Sequence, residues 1–104
     1  MKSYSDLSKA QHFVDTRDSF AHLLGLRIVD CTEKGVVSET PLRPEFCNPH
    51  GIAHGGFLYA IADTTCGMTT ALAMPGFTPD QRIVTAVSSF NFLAPATHSP
   101  VRAE

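Results

Sequence analysis

The chain has 104 residues, 43% of them hydrophobic, which suits one small globular domain. Its formal net charge is −2 and its basic residues are scattered, which argues against a nucleic-acid-binding protein because such proteins usually carry a basic stripe. No apolar run approaches the roughly 20 residues that a membrane span needs, so we expect residues 1–104 to form a single domain that spans no membrane.

The first part of the chain predicts a helical region followed by a hairpin. Residues 6–24 are expected to be helical, in two pieces, with an acid and a serine near the start of the second piece and Gly25 as its stop. Leu7, Ala10 and Val14 fall on one face of this region, and Phe20, Leu23 and Leu24 follow. Residues 26–42 predict two strands joined by a turn at residues 33–35.

The second part predicts a loop, a central helix and a long strand. Residues 43–56 hold too many turn formers for regular structure, whereas residues 57–74 favour a helix closed by Pro75 and Gly76. Four threonines and a glycine weaken this helix, so we expect packing on both sides to hold it. Residues 82–95 are rich in β-formers and predict a strand, giving an α+β plan.

Gly55 and Gly56 precede the central helix and form a candidate oxyanion site. The first N–H groups of a helix lack internal partners, and glycine lets a ligand oxygen approach them. Asp63 lies about 12 Å further along the helix axis, too far for one carbonyl to meet both groups. If they cooperate, Asp63 must come from a second subunit, across a two-fold axis between antiparallel helices.

Each of these residues also has a purely structural interpretation. A double glycine can be a turn, and an aspartate within a helix can simply be solvated. His54 can cap or brace the loop, or it can act as a general base. Asn48 can form an Asx-turn, or it can point its amide at the same carbonyl or at a water.

The stretch NPHGIAHGGFLYAIAD, followed by TAVSSFNFLAPA, resembles the hot-dog fold thioesterases of the phenylacetate-degradation type. The shared pattern is an Asn, a spacer, a Gly, two residues, His-Gly-Gly, six residues and an Asp. The resemblance covers Leu24 to Ala96 and implies a curved antiparallel sheet around a long central helix. Such proteins continue beyond the strand that follows the helix, so we expect this chain to contain only part of the fold.

The resemblance implies hydrolysis of an acyl-CoA thioester without a metal or organic cofactor, by homodimers or dimers of dimers. The N–H of Gly55, helped by Asn48, would polarise the thioester carbonyl. Asp63 of the partner subunit would activate water or attack directly, and the Thr85 hydroxyl would hold the water. We include His54 among the candidate catalytic residues.

A second group of residues is expected to bind the substrate. Gly56 lies beside the candidate oxyanion donor, and the acyl chain needs an apolar slot. We expect this slot to be lined by Phe57, Leu58 and Ile61, together with residues of the partner subunit.

Two other functions remain open at this point. His50, His54, Asp63 and Cys66 contain metal-ligand types, but Pro49 and Gly51 disfavour the helix that ligation by His50 and His54 would need. Alternatively, the chain is a non-catalytic domain that binds acyl-CoA or a partner chain through its sheet edges. The first function requires stoichiometric metal, and the second requires binding without turnover.

Cysteine usage and the N-terminal residues favour a cytoplasmic location. Cys31, Cys47 and Cys66 form no CxxC pair, which fits a reducing compartment, and we expect each to be a small buried side chain. The stretch MKSYSDLSKAQHF lacks the apolar core of a secretion signal.

Overall fold

A three-stranded antiparallel sheet carries one long helix on its face in the computed structural model, which describes residues 4–74 and 81–104. The strand order is β1-β2-β3, and the long helix α3 packs chiefly on β2. In chain order the elements are α1 (Tyr4–Arg17), α2 (Ser19–Leu24), β1 (Arg27–Thr32), β2 (Gly35–Thr40), a 3₁₀ helix (Pro44–Phe46), α3 (Gly55–Ala73) and β3 (Val101–Ala103).

The two-piece helical region is confirmed, together with its start and stop signals. The Asp18 side chain accepts a hydrogen bond from the Ala21 N–H at 3.1 Å, and Gly25 ends α2 in the left-handed conformation with φ +83°. Of the apolar residues in the second piece, Phe20 and Leu23 are 57% and 69% exposed. A helix this short turns only one narrow face inward, and that face carries Ala21 and Leu24.

The Gln11 side chain joins α1 to β1. Its Oε1 accepts from the Ile28 N–H at 2.7 Å, and its Nε2 donates to the Leu26 carbonyl at 3.2 Å and to Asp15 Oδ1 at 3.0 Å. Hydrogen bonds from His22 and then Gln11 hold the pKa of Asp15 below its usual value. Gln11 therefore satisfies one backbone group of β1 and one of the residue that precedes it.

The predicted hairpin is confirmed, and its turn lies against α3. Strand β2 begins at Gly35 with φ +138°, where a Cβ atom would lie 2.7 Å from Cγ2 of Thr69. A side chain there would be strained by the backbone conformation and would collide with the helix. Gly35 is therefore what lets α3 approach the start of β2.

Threonines that weaken the intrinsic helix propensity of α3 attach it to β2. Thr69 Oγ1 accepts from the Val36 N–H at 2.9 Å and donates to the Thr65 carbonyl at 3.0 Å. Thr65 Oγ1 lies 2.8 Å from Ser38 Oγ, and both residues are buried. On the side that faces the sheet, tertiary hydrogen bonds thus compensate for the poor helix formers.

The expected burial of α3 on both sides is wrong for the single chain. Its buried residues, Phe57, Ile61, Thr65 and Met68, all follow the spacing of one helix face. Residues such as Cys66 and Thr70 are exposed because nothing in the described part of the chain covers them. The predicted stop at Pro75 and Gly76 lies outside the described residues.

The predicted strand over residues 82–95 is also wrong, because this segment is neither strand nor helix. Only the middle strand of the sheet is paired on both sides, and in the described chain this segment pairs with neither outer strand. Strand β2 lies between β1 and β3, and the short strand β3 pairs Val101 with Thr40. Residues 82–95 instead run antiparallel to α3 and contact it through side chains. Val84, Val87 and Leu93 are left 84%, 92% and 92% exposed.

Over the described ranges, no helix combines the length and the hydropathy that a membrane span requires.

Replacing Gln11 with Leu should lower the free energy of unfolding by about 2 kcal/mol, because the Ile28 N–H and the Leu26 carbonyl then lose their partner while remaining buried. Urea denaturation measures this difference. The control is Lys9→Leu, an exposed position on the same helix, which should change stability by less than about 0.5 kcal/mol. Equal losses in the two variants would contradict the role given to Gln11.

Candidate active site at the start of helix α3

His54 caps the N-terminus of α3. Its ring Nδ1 accepts a hydrogen bond from the Gly56 N–H at 2.8 Å, and its backbone N–H donates to the Phe46 carbonyl at 2.8 Å. The next connection is the Ala53 N–H, which donates to the Ala96 carbonyl at 2.9 Å. These bonds hold the loop before the helix, and the structure shows the bracing interpretation of His54 directly.

The two glycines make room for two aromatic rings. A Cβ atom on Gly55 would lie 3.2 Å from Cζ of Phe92, and one on Gly56 would lie 3.0 Å from Nδ1 of His54. Both distances are shorter than normal contacts, so any larger residue would displace a ring. The double glycine therefore reflects close packing at the helix start as well as access for a ligand.

The N–H groups of the two glycines differ in whether they are hydrogen-bonded. The Gly56 N–H is already bound by His54, so it is not available to a substrate in this conformation. Among residues 4–74 and 81–104, no group accepts from the Gly55 N–H. The N–H of Gly55, the position that the sequence singled out, is therefore an open donor at the positive end of the helix dipole.

Asn48 builds the loop that precedes His54. Its Oδ1 accepts from the His50 N–H at 2.9 Å and from the Ile52 N–H at 3.4 Å, which is an Asx-turn. The Asn48 N–H donates to the Ile52 carbonyl at 2.8 Å. The amide oxygen is therefore used within the loop, and only the amide nitrogen remains for a ligand.

Asp63 and Thr85, which are 22 positions apart, meet on the opposite face of α3 from the sheet. Asp63 is half-buried, and Thr85 Oγ1 donates to its Oδ1 at 2.7 Å. A hydroxyl donating to a carboxylate at this distance forms a strong, charge-assisted hydrogen bond. It fixes one carboxylate oxygen and leaves Oδ2 for another group.

Gly55 and Asp63 do not meet within one chain. Helix α3 runs without interruption from Gly55 to Ala73, so the two residues lie about 12 Å apart along its axis. One thioester carbonyl cannot lie within hydrogen-bond distance of the Gly55 N–H and next to the Asp63 carboxylate of the same helix.

The expected apolar slot is placed differently. Phe57 and Ile61 are 7% and 2% exposed and lie on the helix face that packs on the sheet. Phe57 stacks on Phe46 with ring centroids 4.8 Å apart, and Leu58 is partly buried against the same core. The spacing of four residues puts Phe57 and Ile61 on one side of the helix, so in this chain they build the core rather than an open slot.

A row of three aromatic rings lies where the sequence patterns did not point. Tyr59 and Phe90 have centroids 5.5 Å apart, and Phe90 and Phe92 have centroids 4.9 Å apart. The signal that could have indicated it is the alternation in SSFNF, since residues two apart in an extended segment share a face. We call Tyr59, Phe90 and Phe92 the aromatic row.

The candidate metal ligands are not brought together. Within the described ranges, no group of three His, Cys, Asp or Glu side chains is close enough to hold a metal ion. The three cysteines differ in burial: Cys31 is buried as expected, whereas Cys47 is half-buried and Cys66 is exposed.

Comparison with known families identifies the class of protein. A model of the thioesterase superfamily matches residues 50–104, more than half of the chain, and this match includes Gly55, Asp63 and Thr85. The chain therefore belongs to the thioesterase superfamily. No curated protein matches it.

Solved structures show the fold. The PaaI protein of the phenylacetic acid degradation operon of E. coli superposes with a TM-score of 0.71 and 23% identity, covering 88% of this chain and 62% of that one. PA5202 from Pseudomonas aeruginosa superposes with a TM-score of 0.69 and 25% identity, covering 84% of this chain and 70% of that one. The TT0310 protein from Thermus thermophilus is 37% identical with a TM-score of 0.51, covering 58% and 51%. The expected hot-dog fold is confirmed, and the chain spans less than two thirds of the length of PaaI.

Removing the His54 side chain should test whether this residue is a cap. His54→Ala should lower the free energy of unfolding by about 1 kcal/mol, because the Gly56 N–H loses its acceptor. His54→Asn should keep most of the stability, since Asn is among the best capping residues. Thermal denaturation compares the two. Equal destabilisation of both variants would contradict the capping role.

Proposed function

We propose that this protein is an acyl-CoA thioesterase that hydrolyses a CoA thioester to the free acid and CoA. Membership of the thioesterase superfamily supports the reaction class. The observation that carries the proposal is the Thr85–Asp63 hydrogen bond of 2.7 Å, because it orients a carboxylate on the same helix that begins with the open Gly55 donor.

The proposed reaction needs one carboxylate and one oxyanion donor. Asp63 Oδ2 takes a proton from water while the water oxygen attacks the thioester carbonyl carbon. The carbonyl oxygen becomes an oxyanion, which the Gly55 N–H stabilises at the positive end of the helix dipole. The C–S bond then breaks, CoA leaves as thiolate and takes up a proton, and the free acid remains. No metal or organic cofactor takes part in this scheme.

Two chains are needed for each site. Because about 12 Å separates Gly55 from Asp63 along α3, we propose that two copies meet with their α3 helices antiparallel. Each Asp63 then lies beside the Gly55 of the other copy, and the homodimer has two equivalent sites. Cys66 and Thr70 lie beyond Asp63 on the face of α3 away from the sheet, and their exposure in the described chain supports this pairing. A dimer of dimers is compatible with the same site.

A non-catalytic domain that binds acyl-CoA or a partner chain is the second candidate function. It is favoured by the apolar and largely exposed segment 82–95, where Val84, Val87 and Leu93 meet solvent. This function requires acyl-CoA binding without thiol release.

Asp63→Asn should reduce kcat by at least about 100-fold, because the amide cannot accept the proton of water. Thr85→Val should reduce it by about tenfold, since Asp63 keeps its charge but loses its hydrogen bond. Thiol release from aliphatic and aromatic acyl-CoAs measures both. The matched control is Thr16→Val, an exposed threonine of α1 whose hydroxyl donates to the His12 carbonyl at 2.7 Å. A kcat of Asp63→Asn equal to that of the wild type would remove the carboxylate from the mechanism.

Mixing two inactive variants should restore activity if the site is shared. Asp63→Ala keeps an intact Gly55, and Gly55→Val keeps an intact Asp63, so a mixed dimer contains one complete site. After random exchange of equal amounts, half of the dimers are mixed, and about a quarter of wild-type activity should return. Activity is followed by thiol release during subunit exchange. No recovery, with mixed dimers demonstrated by native mass spectrometry, would contradict the shared site.

A further inference from the structure

We propose that Phe92 determines which acyl group this protein accepts, by forming the wall against which the first carbons of an apolar acyl chain pack. The inference rests on the proposed function, because that function places the thioester carbonyl at the Gly55 N–H. The residue lies outside the set Phe57, Leu58 and Ile61 that the sequence suggested as the acyl slot.

The position of Phe92 is set by its contact with Gly55. A Cβ atom on Gly55 would lie 3.2, 3.5 and 3.7 Å from three carbons of the Phe92 ring, so the ring lies directly against the first residue of α3. The aromatic row extends this surface along the helix through Phe90 and Tyr59. An acyl group whose carbonyl oxygen is bound at Gly55, about 2.9 Å from its nitrogen, has its next carbons beside this ring.

The segment that carries the ring is anchored at both ends, and the ring itself is open to a ligand. The segment that carries it is held at one end by the Thr85–Asp63 bond and at the other by the Ala96–Ala53 bond of 2.9 Å. Phe92 is nevertheless 57% exposed, so it has apolar surface left to bury. Burial of an apolar acyl chain against this surface is favourable, whereas an acyl group ending in a carboxylate would lose hydration there.

The substrate class that follows is an apolar acyl-CoA rather than a dicarboxylic one. The wall is made of aromatic rings that contact one another and Gly55, and such an apolar surface selects against charge near the carbonyl. Selectivity comes from the acyl end, so recognition of the CoA end should not depend on Phe92.

Leu93 provides the matched control. It follows Phe92 directly and is 92% exposed, whereas the Phe92 ring lies against Gly55. Truncating Leu93 removes a similar amount of apolar side chain from the same segment without changing the surface next to Gly55.

The test compares the wild type, Phe92→Ala and Leu93→Ala in two measurements. In the first, kcat/KM for hexanoyl-CoA is divided by kcat/KM for succinyl-CoA. In the second, calorimetry gives the affinity of the non-hydrolysable thioether S-hexyl-CoA relative to that of free CoA. Phe92→Ala should reduce both ratios by about tenfold, corresponding to about 1.4 kcal/mol. Leu93→Ala should leave both ratios within about twofold of the wild type.

Each outcome decides one of the two proposals. If the wild type hydrolyses thioesters and the Phe92→Ala ratios equal those of the wild type, the acyl wall is wrong and the thioesterase stands. If the wild type releases no thiol but prefers S-hexyl-CoA through Phe92, the thioesterase is wrong and the wall stands. If the wild type shows neither thioester turnover nor a preference for the thioether, both proposals are overturned.

A stability measurement checks the packing independently of any ligand. Gly55→Ala should lower the melting temperature clearly in the wild-type background, because the new Cβ meets the Phe92 ring. In the Phe92→Ala background the same substitution should lower the melting temperature markedly less, because the ring is no longer there. Equal shifts in both backgrounds would mean that the ring does not lie on Gly55, and this would overturn the proposed wall.

Discussion

The attachment of α3 to β2 is the constraint on which the rest of the molecule depends. Thr65 and Thr69 bind Ser38 and the Val36 N–H, and Gly35 lets the helix approach closely enough for these bonds to form. The helix is therefore held on the sheet as one uninterrupted element. Because the open Gly55 donor and the Asp63 carboxylate are both on this helix, their separation along its axis is about 12 Å, and any reaction that needs both must use two chains.

The start of α3 is shaped by rings as much as by backbone. His54 takes the Gly56 N–H and leaves the Gly55 N–H open, so the structure distinguishes two neighbouring glycines that are equivalent in the sequence. Phe92 lies on Gly55 and places an apolar surface next to the open donor. A polar site for a carbonyl and an apolar site for the carbons attached to it thus adjoin each other, which is the combination that an acyl thioester presents.

The segment from residue 82 to residue 95 connects these features. One of its side chains orients the acid, another covers the helix start, and its backbone end is tied to the loop before α3 through Ala96 and Ala53. Its Val84, Val87 and Leu93 side chains face solvent, as does the side of α3 that carries Cys66. The groups proposed for chemistry and the surface proposed for a second copy therefore lie on the same side of the molecule.

The sequence by itself determined the local features: the Asp18 cap, the Gly25 stop, the hairpin turn, and the positions of Gly55 and Asp63 on one helix. Each depends on residues within a few positions of one another. Only the tertiary structure decided that residues 82–95 lack a paired strand, that Phe57 and Ile61 face the sheet, and that Thr85 meets Asp63. Strand pairing, burial and contacts between distant residues depend on which backbone edges and helix faces are already occupied, and no local pattern of residues records that.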